Sequence, residues 1–263
     1  MTPDNPNRVR DGRGLALAAI LLAAAAPAFA DADFARERFG EMSAWLGGQD
    51  AFSFDYDASL DVVTDKGQIL TIASSGAVAM ERPDRITATR DGGFASVAFS
   101  FDGASLTVMN LDENVYARTD IPGSVENLID ELRDTHRRPL PGADLLLSDA
   151  QGVLGPLFID VKDLGSGVIG GVECDHLAFR TEGADMQIWI ARGDDPHPCR
   201  YSISNTAVEG APRYVLDIAD WTSGADAAPA TALEIPADAR EVAPDEVPDL
   251  DELSGIYVIE GGN

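Results

Sequence analysis

Few residues in this chain have the types and spacing that chemistry requires. There are two cysteines, Cys174 and Cys199, and three histidines, His136, His176 and His197. His176 and His197 each stand two residues from a cysteine, which is the start of a Cys/His metal set, but no C-x₂-C pair accompanies them. Asp175-His176 is the only candidate acid/base element; its alternative is a structural strand histidine, the preferred reading. A serine or cysteine hydrolase needs a histidine held beside its nucleophile. His136 instead ends a helical stretch beside Arg137-Arg138, and His197 lies between two prolines. No G-x-S-x-G, H-E-x-x-H, phosphate-loop or dinucleotide-binding motif occurs, and none points to a cofactor. Carboxylates abound, but among 45 acidic residues a pair of them carries little information. The residues give no positive case for an enzyme.

The elements that would position these groups come after an N-terminal targeting pattern. Arg8, Arg10 and Arg13 form a basic region, Leu15 to Ala26 an apolar core, and Ala28-Phe29-Ala30 an A-x-A cleavage signal. The apolar run is shorter than the ~20 residues that span a bilayer. Residues 1–30 therefore read as a cleaved secretory signal peptide. No cysteine follows Ala30 for acylation, so a free, soluble periplasmic chain is expected, without a stable membrane anchor. In that oxidising setting the two cysteines favour a disulfide over a metal site.

The net charge is −26. The first thirty residues hold three arginines and two aspartates, which leaves −27 on the rest. Such a surface repels nucleic-acid phosphates and anionic head groups, so a nucleic-acid partner is excluded. The acids are spread along the chain without EF-hand spacing, and they read as a solvated surface rather than a calcium site.

Asp31 to Gly48 reads as a helix, with Phe34, Phe39, Met42, Trp45 and Leu46 along one side. From Phe52 to Val62 the period changes to strict alternation, which predicts a half-buried strand. Gln68–Glu81, Arg85–Thr89, Phe94–Phe101, Ser105–Met109 and Val115–Thr119 follow as strands separated by Gly, Pro and Asp turns. Ser124 is placed to cap a helix that presents Val125, Leu128, Ile129 and Leu132. Ala143–Leu154 reads as a second apolar helix. Phe158–Leu164 is a strand or extended loop, and Val168–Thr181, Met186–Arg192, Cys199–Thr206 and Arg213–Trp221 form a meander. If Thr181 faces Met186, Cys174 lies opposite Gly193, with Cys199 two strands away at ~10 Å, beyond the ~7 Å reach of a disulfide. The bridge then requires the Gly193–Pro198 loop to fold over the middle strand. Beyond Trp221 the Ala/Pro-rich and acidic composition predicts a loosely held tail, residues 222–263, with a late edge strand possible at Ile256–Ile259.

These elements give an α+β chain whose one-sided antiparallel sheet curls around apolar contents. Met80-Glu81-Arg82-Pro83-Asp84-Arg85, then FDGASLTVMN, NVYA, IPGSVENLIDEL and PLPGADLL, with CDHLAFR and MQIWIARGDDPHP later, resemble the DUF2092 family of predicted periplasmic proteins from about Asp31 to Trp221. That family is similar to the lipoprotein carriers LolA and LolB and to the regulator RseB. The resemblance implies a domain over 31–221 built as an unclosed, LolA-like half-barrel with helices covering its concave face. It also implies a non-enzymatic role: binding an acyl chain, lipid or lipoprotein in an apolar concavity or, as the alternative, sensing an envelope protein. A hydrolase using His176 is the third class. In the carriers an arginine in a similar strand-R-P context helps gate the lid. Arg82 inherits either that role or that of a plain strand-end cap. The chain departs from the carriers in its length, its acidic tail and Cys199. The expected ligand-lining residues are Phe52, Phe54, Tyr56, Val78, Met80, Arg82, Leu106, Val108, Leu128, Leu132, Leu145, Phe179 and Ile190. A cavity of ~300 Å³ or more would separate a binding site from an ordinary core.

Overall fold

A computed structural model describes residues 32–250 apart from 65, 139 and 141. The signal-peptide reading and the late edge strand at 256–259 lie outside the described residues.

One sheet organises the chain. Its strands are β1 (Ala51–Val63), β2 (Ile69–Glu81), β3 (Arg85–Gly92), β4 (Ser96–Phe101), β5 (Ser105–Asn110), β6 (Val115–Asp120), β7 (Asp160–Ile169), β8 (Val172–Arg180), β9 (Ala184–Ala191), β10 (Pro198–Asn205), β11 (Arg213–Ser223) and β12 (Arg240–Glu241). The order is β12-β6-β5-β4-β3-β2-β1-β11-β10-β9-β8-β7. Every described pairing is antiparallel except β12 on β6, and the ends of the sheet do not meet, so it is not closed into a barrel. The long alternating β1 stands at the centre, paired with β2 on one side and β11 on the other.

The alternation fixes two faces. Phe52, Met80, Ile86, Phe101 and Leu106 follow one another across β1 to β5 on the inner face. Ser53, Ala79, Thr87, Ser100 and Thr107 occupy the outer face at the adjacent register. Three helices, α1 (Ala32–Gly47), α2 (Val125–Asp134) and α3 (Ala150–Leu154), contribute to the same buried cluster as the inner face. Ser124 caps α2 as its sequence predicts, accepting a hydrogen bond from Asn127 N.

Two sequence readings are corrected. Ala143–Leu154 is not one helix: a 3₁₀ turn covers Ala143–Leu146, Leu147 is extended, and α3 starts afresh after Asp149, which accepts from Gly152 N. Val168–Thr181 is not one strand. Gly170 and Gly171, at φ of 56° and 88°, make a two-residue hairpin turn between β7 and β8.

Residues 227–250, expected to be loosely held, form a strap. Its first limb crosses the outer face, where the amides of Ala228, Ala230 and Leu233 donate to Ser53 Oγ, Glu81 Oε1 and Ser100 Oγ. Thr87 Oγ1 donates to Thr231 O. β12 then pairs with the edge strand β6, and the second limb, 244–250, turns onto the inner face.

Candidate functional site

The sheet and helices enclose two spaces of different size. The first, about 10 Å³, lies among Phe39 and Met42 of α1, Leu145, Ala150, Leu154, Phe179, Met186, Ile188 and Tyr201. It is barely the size of one water, and the side chains around it are close-packed. Phe39, Phe158 and Phe179 form an aromatic cluster with centroids 4.4–5.6 Å apart. Asp144 sits at the border of this space, where Tyr201 donates to its Oδ2 over 3.2 Å. Burial raises the Asp144 carboxyl above the usual range, and the tyrosine offsets part of that rise. Burial, and then Asp144 itself, pushes the Tyr201 phenol well above its ordinary value.

The second space is a groove of about 210 Å³ on the inner face of β5 and β6. Leu106, Val108, Ala117, Thr119 and Ile121 form its floor, Leu132 its helical wall, and His136 and Arg138 the loop beyond α2. Pro244, Asp245 and Leu250 of the strap form its other side. Register explains the room: Leu106 faces Thr119 and Val108 faces Ala117, so each large side chain is paired with a small one. α2 ends at Asp134, and no helix continues over this end of the sheet.

The expected lining residues are therefore divided. Leu106, Val108 and Leu132 line the groove, while Leu145 and Phe179 border the small space. Phe52, Phe54, Met80, Leu128 and Ile190 are buried in the shared core, with Tyr56 and Val78 half-buried against it. Arg82 stands at the end of β2 with its guanidinium carbon 5.8 Å from the centre of the Phe52 ring. Its Nε and Nη2 are buried without a hydrogen-bond partner. Burial lowers its pKa, and the nearby Glu126 carboxylate opposes that shift. Ala117, Thr119 and Ile121 were not anticipated, although the alternation from Val115 continues through them. Pro244, Asp245 and Leu250 come from a segment with no local pattern to announce them.

The chemistry-bearing residues do not form a catalytic set. Asp175 points to the inner face, where Arg38 of α1 pairs with it at 3.0 Å and Arg192 Nε donates to it at 2.6 Å. His176 points to the outer face, stacked on Trp189 at 4.0 Å and hydrogen-bonded to Gln187. Consecutive strand residues face opposite ways, so the Asp-His pair is no dyad. Desolvation lowers the His176 pKa.

Cys174 and Cys199 are brought together, by a different route from the one expected. Cys174 lies opposite Ala191 rather than Gly193, and an irregularity between Pro198 and Arg200 turns Cys199 toward it. The sulfurs are 2.6 Å apart, outside the 2.03–2.05 Å of a disulfide, and both are free thiols, so the expected bond is not formed in this structure. Burial pushes both thiols up, Cys199 the further.

No curated protein matches the chain. Among solved structures it is similar to the lipoprotein LppX of Mycobacterium tuberculosis, at 14% identity over 78% of this chain and 99% of that one, with a TM-score of 0.44. It is similar to the MucA/MucB complex of Pseudomonas aeruginosa at 14% identity, covering 74% of this chain but 59% of that chain, with a TM-score of 0.44. A LolA superfamily protein of Nitrosomonas europaea aligns at 10% identity over 77% of this chain and 94% of that one, with a TM-score of 0.35. The family model described as predicted periplasmic protein (DUF2092) matches residues 35–243, most of the sequence, and the chain belongs to that family.

Proposed function

We propose that this protein is a soluble, non-enzymatic binding protein of the periplasm, and that an acyl chain of a lipid or lipoprotein occupies the groove on β5 and β6. The observation that carries the reading is the groove itself: about 210 Å³, walled by Leu106, Val108, Ala117, Ile121 and Leu132. An apolar cavity of about 150 Å³ suffices to bind benzene. The groove is smaller than the ~300–1,000 Å³ of sites that engulf drug-sized ligands, which favours one chain over a whole diacyl lipid. The rest of the anticipated lining set forms the packed core on which this wall rests. Arg82, a buried cation without hydrogen-bond partners on two of its nitrogens, is assigned the gating role suggested by its strand-R-P context.

Native mass spectrometry of protein isolated from the periplasm tests the reading, together with binding of the apolar fluorophore N-phenyl-1-naphthylamine. A retained lipid or acylated peptide is expected, and Val108→Trp, which fills the groove, should abolish fluorophore binding. Retention of full binding by Val108→Trp, with only apo mass recovered from the wild type, would sink the proposal.

A further inference from the structure

The strap has two limbs, and they are fastened differently. The outer limb is held by backbone amides on Ser53, Glu81 and Ser100, and Ala230 is buried. After it, Arg240 N donates to Asn114 O and Val242 N to Tyr116 O, a short ladder on β6. The inner limb begins immediately beyond, at Pro244. Among the described residues its hydrogen bonds to the body come from two side chains. Asn110 Nδ2 donates to Pro248 O at 3.0 Å, and Arg90 donates to Leu250 O at 3.0 Å and Asp249 O at 3.2 Å. Its remaining hydrogen bonds are internal: Glu246 N donates to Ala243 O, and Ala243 N to Glu246 Oε2. Val247 is its buried anchor. This same limb supplies Pro244, Asp245 and Leu250 to the groove.

We propose that residues 244–250 are a lid on the groove, hinged where the β6 ladder ends at Val242 and latched by Arg90 and Asn110. The proposal rests on the reading of the groove as the ligand site. Opening breaks three hydrogen bonds and frees one buried valine, and it leaves the sheet and the outer limb intact. A ligand longer than the groove could not be seated beneath the closed limb, because Asp245 and Leu250 stand against its open side. The internal turn at Ala243–Glu246 moves with the limb, so the lid keeps its shape as it swings. The limb bears Asp245, Glu246 and Asp249 on a chain of net charge −26, so it gains no long-range attraction that would hold it down without its two latches.

Stopped-flow binding of N-phenyl-1-naphthylamine to the full chain tests this. With a lid, the observed rate levels off as fluorophore concentration rises, because opening comes first. Arg90→Gln combined with Asn110→Asp should raise that plateau about tenfold, the effect of losing roughly one charge-assisted hydrogen bond. Asn110→Asp keeps the Oδ1 that accepts from Asp112 N and Glu113 N, so the β5–β6 turn survives. Arg90→Gln alone carries the test if the double variant misfolds. Hydrogen exchange supplies a second readout: residues 244–250 should exchange faster in the variant, and 227–233 unchanged. A rate linear in fluorophore and indifferent to the latch variants overturns the lid, while loss of binding in Val108→Trp still upholds the groove. Binding by neither wild type nor latch variant overturns both.

Discussion

The two ends of the sheet solve one problem differently. Both present apolar inner faces, yet the end under α1 and α3 is packed down to about 10 Å³ and the end under the tip of α2 keeps about 210 Å³. The difference lies in what covers them. At the first end, aromatic and Met side chains from a helix of sixteen residues interlock with Phe158, Phe179 and Tyr201. At the second, a helix of ten residues stops short and an irregular limb with two prolines completes the wall. Regular elements carry repeating side chains that can fill a concavity. A strap held by side-chain donors covers space without filling it.

Substitution at matched positions should expose that contrast most strongly. Phe179→Ala opens a cavity in the packed end and should lower stability by about 3–5 kcal/mol in urea unfolding. Val108→Ala, whose side chain already borders space, should lower it by about 1 kcal/mol. Equal losses would mean the groove is an artefact of loose packing and not a different kind of surface.

The next effect concerns how the packed end is fastened. With thiols 2.6 Å apart across β9, the chain exported to an oxidising compartment should close Cys174 and Cys199 into a disulfide. The bond would join residues 25 apart, and Cys199→Ser should remove about 3–4 kcal/mol by the chain-entropy account. Two thiols titrating in the denatured, unreduced protein would refute it.

The smallest effect is a pH dependence confined to the packed end. Because burial raises the Asp144 carboxyl, the folded chain holds this proton more tightly than the unfolded chain does. Stability contributed by this group is therefore lost as pH rises from the ordinary aspartate range through the raised value. Asp144→Asn should melt higher than wild type at pH 7, still accept the Tyr201 hydrogen bond, and lose its advantage in acid. An unchanged difference between melts at neutral and acidic pH would show that the carboxyl does not titrate abnormally.

The alternation of β1, the Ser124 cap and the Asp/Gly turns made most of the sheet legible, because period and turn chemistry are local. The broken Ala143–Leu154 stretch was not, since its apolar run fits a helix and only the extended Leu147 and the Asp149 cap interrupt it. Leu106, Val108 and Leu132 were legible as inward residues. Nothing local said that they would border space while Phe52 and Met80 would be packed solid, because that depends on which elements cover them. The strap was hidden most deeply. Its fastenings are single Ser, Thr, Asn, Arg and Glu side chains far away in sequence, and its own Ala/Pro-rich composition matches that of an unattached tail.

An open sheet has two margins at which another chain can add a strand, and the strap bears on one of them. β12 occupies part of β6 and carries the following residues around its edge, so incoming strands meet a covered flank. At the opposite margin, β7 bends at an irregularity between Asp163 and Ser166, with Gly165 at φ 86°, and it bears Asp160, Lys162 and Asp163. A kinked, charged edge is a poor template for further pairing. The segment that walls the groove thus also serves colloidal stability: a protein with an unclosed twelve-stranded sheet can be concentrated without growing edge to edge.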